Sequence, residues 1–368
     1  MREELYPIRL LIYILLIGVL ITLFPACALI TKNTPFSGRE DLSLPRSVSL
    51  CNEQIPIENP GIWEKLDREF TIAVYDRPQV ILWIKRTGRY FPYIEKKLAE
   101  AGMPDDLKYL AVVESALIPH IRSSKGAAGL WQLMSRTARE LGLRKSRLID
   151  ERLDYKRSTE AALSYLKYLR NTFGNWSLAL ASYNCGEGLL KREMKKQRVY
   201  DFYSLNLPSE TERFIFRIAA AKLIIENAAR YGYHLKKKQI YKPLKHDTVE
   251  VRINRRLHLT EVATSLASEY RVLKMLNPHI LQHQLPTGRY VIRVPFGSGL
   301  KLAAVLDQFD NESSGELAEV PPQRYVVKRG DTLSHIALKT GVPVPTLKKL
   351  NNIRGSLLRV GQTLQLAP

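Results

Sequence analysis

The sequence predicts a mainly α domain carrying one small β-hairpin, followed by two α+β modules of strand–helix–helix–strand order. Three observations carry this. Apolar residues recur at helical spacing from about residue 61 to residue 236. That pattern is interrupted by one glycine-bounded stretch, Gly126-Ala127-Ala128-Gly129-Leu130-Trp131-Gln132-Leu133-Met134. Beyond it the chain repeats itself: Leu259, Val262-Ala263 and Leu276-Asn277 return as Leu333, Ile336-Ala337 and Leu350-Asn351, each 74 residues on. A chain of 368 residues has room for two or three such domains.

The first element lies ahead of the fold. Leu10 to Phe24 is an uncharged apolar run behind Arg2 and Arg9, the pattern of a signal-peptide core with a basic flank. It ends at Phe24-Pro25-Ala26-Cys27, which resembles a lipoprotein cleavage box with Cys27 as the lipidated residue. Ala28 after it resembles the outer-membrane sorting pattern. The alternative is an uncleaved inner-membrane anchor, since Leu10 to Ile30 carries no charge and can just span a bilayer. Both readings export the rest of the chain to the cell envelope. Residues 28–60 follow as a polar, irregular tether. Cys27, Cys51 and Cys185 lie on unrelated segments, so neither a disulfide framework nor a metal site is expected. Lys and Arg number 56 against 36 Asp and Glu, a net charge of +20. The charge is spread out and no nucleic-acid motif accompanies it, so an anionic wall or lipid head groups are the expected contacts.

The helical domain, 61–236, opens with aromatic-rich helices over Ile62 to Ala101. Next comes the run Pro104 to Leu117. Asp105 can cap a helix there, and Leu107, Leu110, Ala111 and Glu114 fall at i, i+3, i+4 and i+7 of one buried stripe. A carboxylate thus takes the place of the next apolar residue. Burial disfavours the ionised form and raises the pKa. An ordinary Glu near pKa ~4.3 is protonated to about 0.2% at pH 7; raised to ~6, it is protonated to about 10%, enough for a general acid. A lone Glu in such a place is more often a paired edge residue, so the assignment depends on its neighbours.

In the glycine-bounded stretch a short strand would put Leu130, Gln132 and Met134 on one face and Trp131 and Leu133 on the other. An amide beside a thioether suits a sugar ring, hydrogen-bonding its hydroxyls and packing on its carbons. A plain hairpin with a core Trp explains the same residues. Ser158 can cap the helix through Leu163, Leu166, Leu169 and Phe173, which ends at Gly174. Trp176 to Cys185 is a helix of small and apolar residues that breaks at Gly186 and leaves Tyr183 and Asn184 at its end. Leu207-Pro208-Ser209-Glu210-Thr211 precedes the last helix, with Ser209 at its start.

In this order and spacing the four pieces resemble the catalytic domain of lytic transglycosylases, whose fold is goose-type-lysozyme-like. The resemblance covers about Arg77 to Tyr233. It implies that Glu114 is the catalytic acid and that Ser123, Gln132, Met134, Tyr183 and Asn184 line the glycan cleft. The sequence departs from the family at Ser135, Cys185, Phe214 and Phe216; Phe214 lacks a hydroxyl that the family places on the cleft wall. The second repeat copy, 324–368, resembles a LysM module through Tyr325-Val326-Val327-Lys328-Arg329-Gly330-Asp331-Thr332-Leu333, a family that binds N-acetylglucosamine-containing chains. The first copy, 247–297, has Arg255-Arg256-Leu257-His258 in place of that signature; a LysM-like fold is expected there, with sugar binding left open. Its closing segment aligns Gly288 with Gly361 and Pro295 with Pro368, 73 apart. Residues 298–323 read as a linker.

The resemblance implies cleavage of the MurNAc–GlcNAc β-1,4 bond of peptidoglycan without water, Glu114 serving as acid and then as base, with no metal or cofactor. The rival on the same fold is a muramidase, which needs a second carboxylate about 6.5–9.5 Å away to activate water. In goose-type relatives that acid lies in the hairpin after the catalytic Glu. Here Ser115 to Lys125 contains no Asp or Glu. A non-catalytic wall-binding scaffold would suit a chain without the acid.

Overall fold

The computed structural model describes residues 42–302, 304–306, 324–340, 342–353 and 355–366. The N-terminal apolar run and Cys27 lie outside them. Among the described residues no helix is long and apolar enough to cross a membrane. The chain forms two units: the first holds residues up to Leu143 and Tyr155–Pro243, the second Arg144–Asp154 and Leu244 onward.

The first unit is helical around one core. It begins with a hairpin inside the stretch expected as tether, Val48–Leu50 paired antiparallel with Glu53–Ile55. Cys51 and Asn52 both take positive φ, 55° and 64°, the combination a two-residue hairpin turn demands. Val48, Leu50 and Ile55 face the core. The hairpin's polar groups fasten it to the helices. The Glu53 carboxylate accepts the amides of Trp176 and Ser177 at 2.6 and 3.1 Å, filling the unsatisfied N-terminus of helix Trp176–Cys185. Asp106 accepts the Cys51 amide at 2.7 Å and the Lys222 ammonium at 2.8 Å.

Asn59 caps helix Pro60–Tyr75, and Pro60, with no amide to lose, opens it. Asp76 caps the next helix, Arg77–Glu100. Helices Trp176–Cys185 and Ser209–Glu226 pack through small buried residues, among them Ala179, Ala181, Ala219 and Ala221. The helix expected to start at Ser158 runs over Tyr155–Phe173 instead. Ser158 is fully buried within the helix rather than at its start, and its hydroxyl donates to the Tyr155 carbonyl at 3.5 Å. The helix does end at Gly174, whose φ of 83° a side chain would resist.

The second unit contains both repeat copies, each with its own core. The first pairs His246–Ile253 with Gly288–Pro295 and holds helices Leu259–Ser265 and Tyr270–Leu276. The second pairs Arg324–Val326 with Thr363–Gln365 and holds helices Leu333–Thr340 and Val344–Leu350. The strand–helix–helix–strand order is as expected. One asparagine locks each copy. Asn277 accepts the Arg293 amide at 2.8 Å and donates to the Leu273 and Arg293 carbonyls. Asn351 does the same with Gln365 and Leu347. Arg293 and Gln365 are therefore equivalent, and they are 72 residues apart rather than 73. Strand parity explains the correction: Ile292 and Val294 face one core as Leu364 and Leu366 face the other, and a shift of one residue would turn them outward.

Segment Arg144–Asp154, inside the sequence span of the helical domain, packs with the first copy. Ile149 enters that core and bridges to Ile280. The Asp150 amide donates to the His279 carbonyl at 2.9 Å and the Leu281 amide to the Leu148 carbonyl at 2.8 Å. Asp154 is held by both Arg293 bonds, at 2.7 and 2.6 Å.

Candidate functional site

Glu114 stands next to the end of helix Lys108–Ser115. The stripe beneath it is as the spacing requires, with Leu107, Leu110 and Ala111 fully buried. The first turn differs: Asp105–Leu107 is a 3-10 turn, and Asp105 pairs with Lys108 instead of capping. The helix stops abruptly. Ala116 and Leu117 both adopt left-handed φ, 51° and 58°, a costly conformation for residues with a Cβ. The turn is held from outside: Arg86 donates to the Ala116 carbonyl at 3.0 Å, and Leu117 is buried in the core.

Glu114 itself is half-buried. Among the described residues its carboxyl takes no hydrogen bond and no ion pair. Burial pushes the group up to about 8, against an ordinary 4.5. Two residues of helix Ser209–Glu226 act on it from a distance: the Arg217 charge works downward and the Glu210 charge upward. Glu210 and Arg217 are seven residues apart, on one helical face. Glu210 is exposed and lies 3.8 Å from the Lys125 ammonium.

The glycine-bounded stretch is a turn, not a strand. Ala128 and Leu133 bridge each other, and the Gln132 amide donates back to the Gly129 carbonyl at 3.2 Å. Gln132 takes a φ of 46°. Alternation is lost, so Leu130, Trp131 and Leu133 are all buried, while Gln132 is half-exposed and Met134 exposed. Two bonds hold this turn against two helices. Ser115 donates to the Leu130 carbonyl at 2.7 Å, and Tyr183 donates to the Trp131 carbonyl, also at 2.7 Å. Trp131 is anchored by its indole N–H to Thr159 at 2.9 Å. Gln132 spends an amide proton on the Gly129 carbonyl at 2.8 Å, leaving its own carbonyl oxygen for a ligand.

Tyr183 and Asn184 lie at the end of helix Trp176–Cys185, as expected. Burial holds the Tyr183 hydroxyl well above the ordinary phenol range, reinforced by the Glu114 charge and by Tyr165. Tyr183 therefore stays a donor. Thr211 donates to Asn184 Oδ1 at 2.9 Å, which fixes the amide; among the described residues its N–H groups take no bond. Ser123 is different: it is exposed at the tip of the hairpin after Glu114 and accepts the Ala127 amide at 3.0 Å, closing that turn. It bonds to none of the other candidates. Phe214 is a core residue, 2% exposed, so the missing hydroxyl is not missing from a cleft wall. Ser115, Glu210, Thr211 and Arg217 were not among the expected site residues. The Leu-Pro-Ser-Glu-Thr motif held the signal for two of them. Among the described residues no group of three or more His, Cys, Asp or Glu could hold a metal ion.

Residues 91–206, which contain Glu114, the turn and Tyr183-Asn184, match the Transglycosylase SLT domain. Residues 325–367 match the LysM domain. The chain is 33% identical over 298 residues to membrane-bound lytic murein transglycosylase D of Escherichia coli, covering 76% of this chain and 64% of that relative. It is also 34% identical over 113 residues to membrane-bound lytic murein transglycosylase F of Desulfosudis oleivorans, covering 28% of this chain and 23% of the relative. An inactive mutant of the lytic transglycosylase Slt from Pseudomonas aeruginosa superposes with a TM-score of 0.31 at 20% identity, over 41% of this chain and 26% of that one. The chain thus carries a transglycosylase SLT domain at residues 91–206 and a LysM domain at residues 325–367.

Proposed function

We propose that the protein is a peptidoglycan lytic transglycosylase with Glu114 as its single acid and base. The observation that carries the reading is an unpartnered Glu whose proton affinity burial has raised to about 8, inside the SLT match. At pH 7 such a group is roughly nine-tenths protonated. It donates its proton to the glycosidic oxygen as the C1–O bond breaks and positive charge develops at the MurNAc C1. The carboxylate left behind is a stronger base than an ordinary Glu, and it takes the proton of the MurNAc C6 hydroxyl as that oxygen bonds to C1. The products are a 1,6-anhydro end and a free 4-hydroxyl, with Glu114 protonated again. Gln132, Met134, Tyr183 and Asn184 hold the sugar; Tyr183 is fixed by the bond it donates to the Trp131 carbonyl, and Asn184 by the bond its oxygen accepts from Thr211. Ser123 contributes from the hairpin tip.

The muramidase reading needs a carboxylate base for water. Glu210 is the acid that acts on Glu114 through space, and its exposure and its Lys125 neighbour suit a charge that keeps Glu114 protonated. The LysM copy at the C-terminus holds the glycan near the site, raising its effective concentration. The N-terminal segment anchors the protein to the membrane, through lipid on Cys27 or through the uncleaved Leu10–Ile30 stretch. Digestion of purified sacculi in ¹⁸O-labelled water tests the reaction. The expected products are anhydro-muropeptides without label at C1; labelled reducing ends as the main product would establish hydrolysis instead.

A further inference from the structure

The second unit contains a cavity of about 490 Å³. Arg256, His258, His283, Gln282 and Gln284 form its polar side, and Leu148 and Pro286 its apolar side. The lining holds a permanent cation and no carboxylate. Arg256 is exposed and has no ion pair among the described residues, whereas its neighbour Arg255 is neutralised by Glu261 at 2.8 Å. The rings of His258, Tyr270 and His283 lie together, their centroids 5.8 to 6.5 Å apart. This fixes both imidazoles. His258 Nδ1 accepts the Thr260 amide at 3.1 Å, so the proton of the neutral ring sits on Nε2 as a donor. His283 Nδ1 is bonded to the Tyr270 hydroxyl. Gln282 is tied to the Arg147 carbonyl at 3.0 Å, while the Gln284 side chain has no bond among the described residues.

The wall thus offers a guanidinium and an imidazole N–H beside two carboxamides that each carry both donor and acceptor. Carboxamides alone would serve a neutral sugar; a guanidinium with no carboxylate in the lining to offset it favours an anion. The residues that line the cavity are particular to this copy. Leu148 comes from the Arg144–Asp154 segment, and the positions 74 residues beyond Arg256 and His258 are Gly330 and Thr332.

We propose that the Arg256–His258–His283 cavity binds a carboxylate carried by peptidoglycan, its apolar wall covering the carbon skeleton that bears the acid. The proposal rests on the peptidoglycan reading for the source of the ligand. Two parts of the polymer offer the group, the lactyl ether of MurNAc and the peptide stem. Titration of the full chain by calorimetry with three probes separates them: glycan strands stripped of peptide, free stem peptide, and a chitooligosaccharide with no carboxylate.

Arg256→Gln removes the charge without removing any intramolecular partner, so the fold is retained. A charge-assisted hydrogen bond lost here weakens a carboxylate probe by about tenfold or more. The expected result is that loss for stripped strands or for stem peptide, with chitooligosaccharide affinity and turnover of short soluble glycans unchanged. A drop for stripped strands assigns the lactyl acid, and one for free peptide assigns the stem. Unchanged affinity for both carboxylate probes would overturn the proposal, as would an equal loss with chitooligosaccharide. Turnover of sacculi by the parent is read separately, so a cavity that binds no carboxylate on an active enzyme defeats this inference and leaves the catalytic one standing.

Discussion

Glu114 and Asp154 are both carboxylates drawn out of water, and the protein treats them in opposite ways. Asp154, 4% exposed, is clasped by two bonds from Arg293, with His279 3.7 Å away. Burial in that cluster holds the His279 imidazole below its ordinary value, so the charge is carried by Asp154 and Arg293. Glu114 has no such clasp, and the cost of burying its charge appears as proton affinity instead. A buried acid with a permanent counter-ion is cement. The same acid without one keeps a proton that it can give away. The two sites differ in the neighbour, not in the functional group.

The comparison predicts that the clasped pair is the larger thermodynamic feature. Arg293→Met takes the guanidinium away from the buried Asp154, which should cost about 3–5 kcal/mol of stability in the unit that holds it. Asp154→Leu added to it should recover most of the loss, because the uncompensated charge is then gone. Equilibrium urea unfolding of the single and double variants measures this, and a single variant as stable as the parent would mean that the pair is not what holds the segment.

At Glu114 the effect should fall on chemistry. Glu114→Gln keeps the shape and removes both proton transfers, so turnover of sacculi should drop by at least ~10²-fold. Its stability should move the other way. The folded value, about 8, lies above the ordinary 4.5, so the stability this group contributes is full below pH 4.5 and is lost as pH rises toward 8. The Gln variant does not titrate there. Its melting temperature should match the parent's near pH 4 and exceed it increasingly up to about pH 8. The gap grows by at most about 1.4 kcal/mol per pH unit, and by less to the extent that water reaches the carboxyl. A constant gap across this range would show that Glu114 is not held protonated by the fold.

The smallest effect tests how the site is braced. Tyr183→Phe leaves the Trp131 carbonyl without its donor, a loss of about 1–2 kcal/mol. Calorimetry of the variant should show that loss, and turnover should fall several-fold without a change in product. An unchanged stability would mean that water replaces the phenol and that the brace is dispensable.

How far the sequence anticipated this depends on whether a feature is periodic. The stripe under Glu114 was readable because Leu107, Leu110 and Ala111 obey one helical spacing. The repeat was readable because the same residues return at a fixed interval. Tyr183 and Asn184 were readable because Gly186 must end their helix. The turn at Gly129–Gln132 was misread as a strand, since alternation suggests itself wherever polar and apolar residues mix, and only the φ of Gln132 reveals the turn. The closing strand was misaligned by one residue because matching glycines and prolines outweighed inward-facing parity. Arg217 could not be found by spacing at all, and Glu210 only through the Leu-Pro-Ser-Glu-Thr motif that contains it. They meet Glu114 across about a hundred residues of chain, and no local period records such a meeting.

The excursion of Arg144–Asp154 into the second unit bears on how this protein can be taken apart. The LysM copy at 325–367 draws every strand and helix from one continuous stretch, so it can be cut out, moved to another chain or duplicated whole. The first copy cannot. Ile149 in its core and Asp154 under Arg293 are supplied by residues made about a hundred positions earlier. A fragment starting at Leu244 would lack a core residue and strand Arg293, and the helical remainder would be left with Ile149 and Asp154 bare. The two copies thus differ in portability: one is a self-contained cassette, while the other folds complete only with the Arg144–Asp154 segment that it borrows from within the helical domain's span.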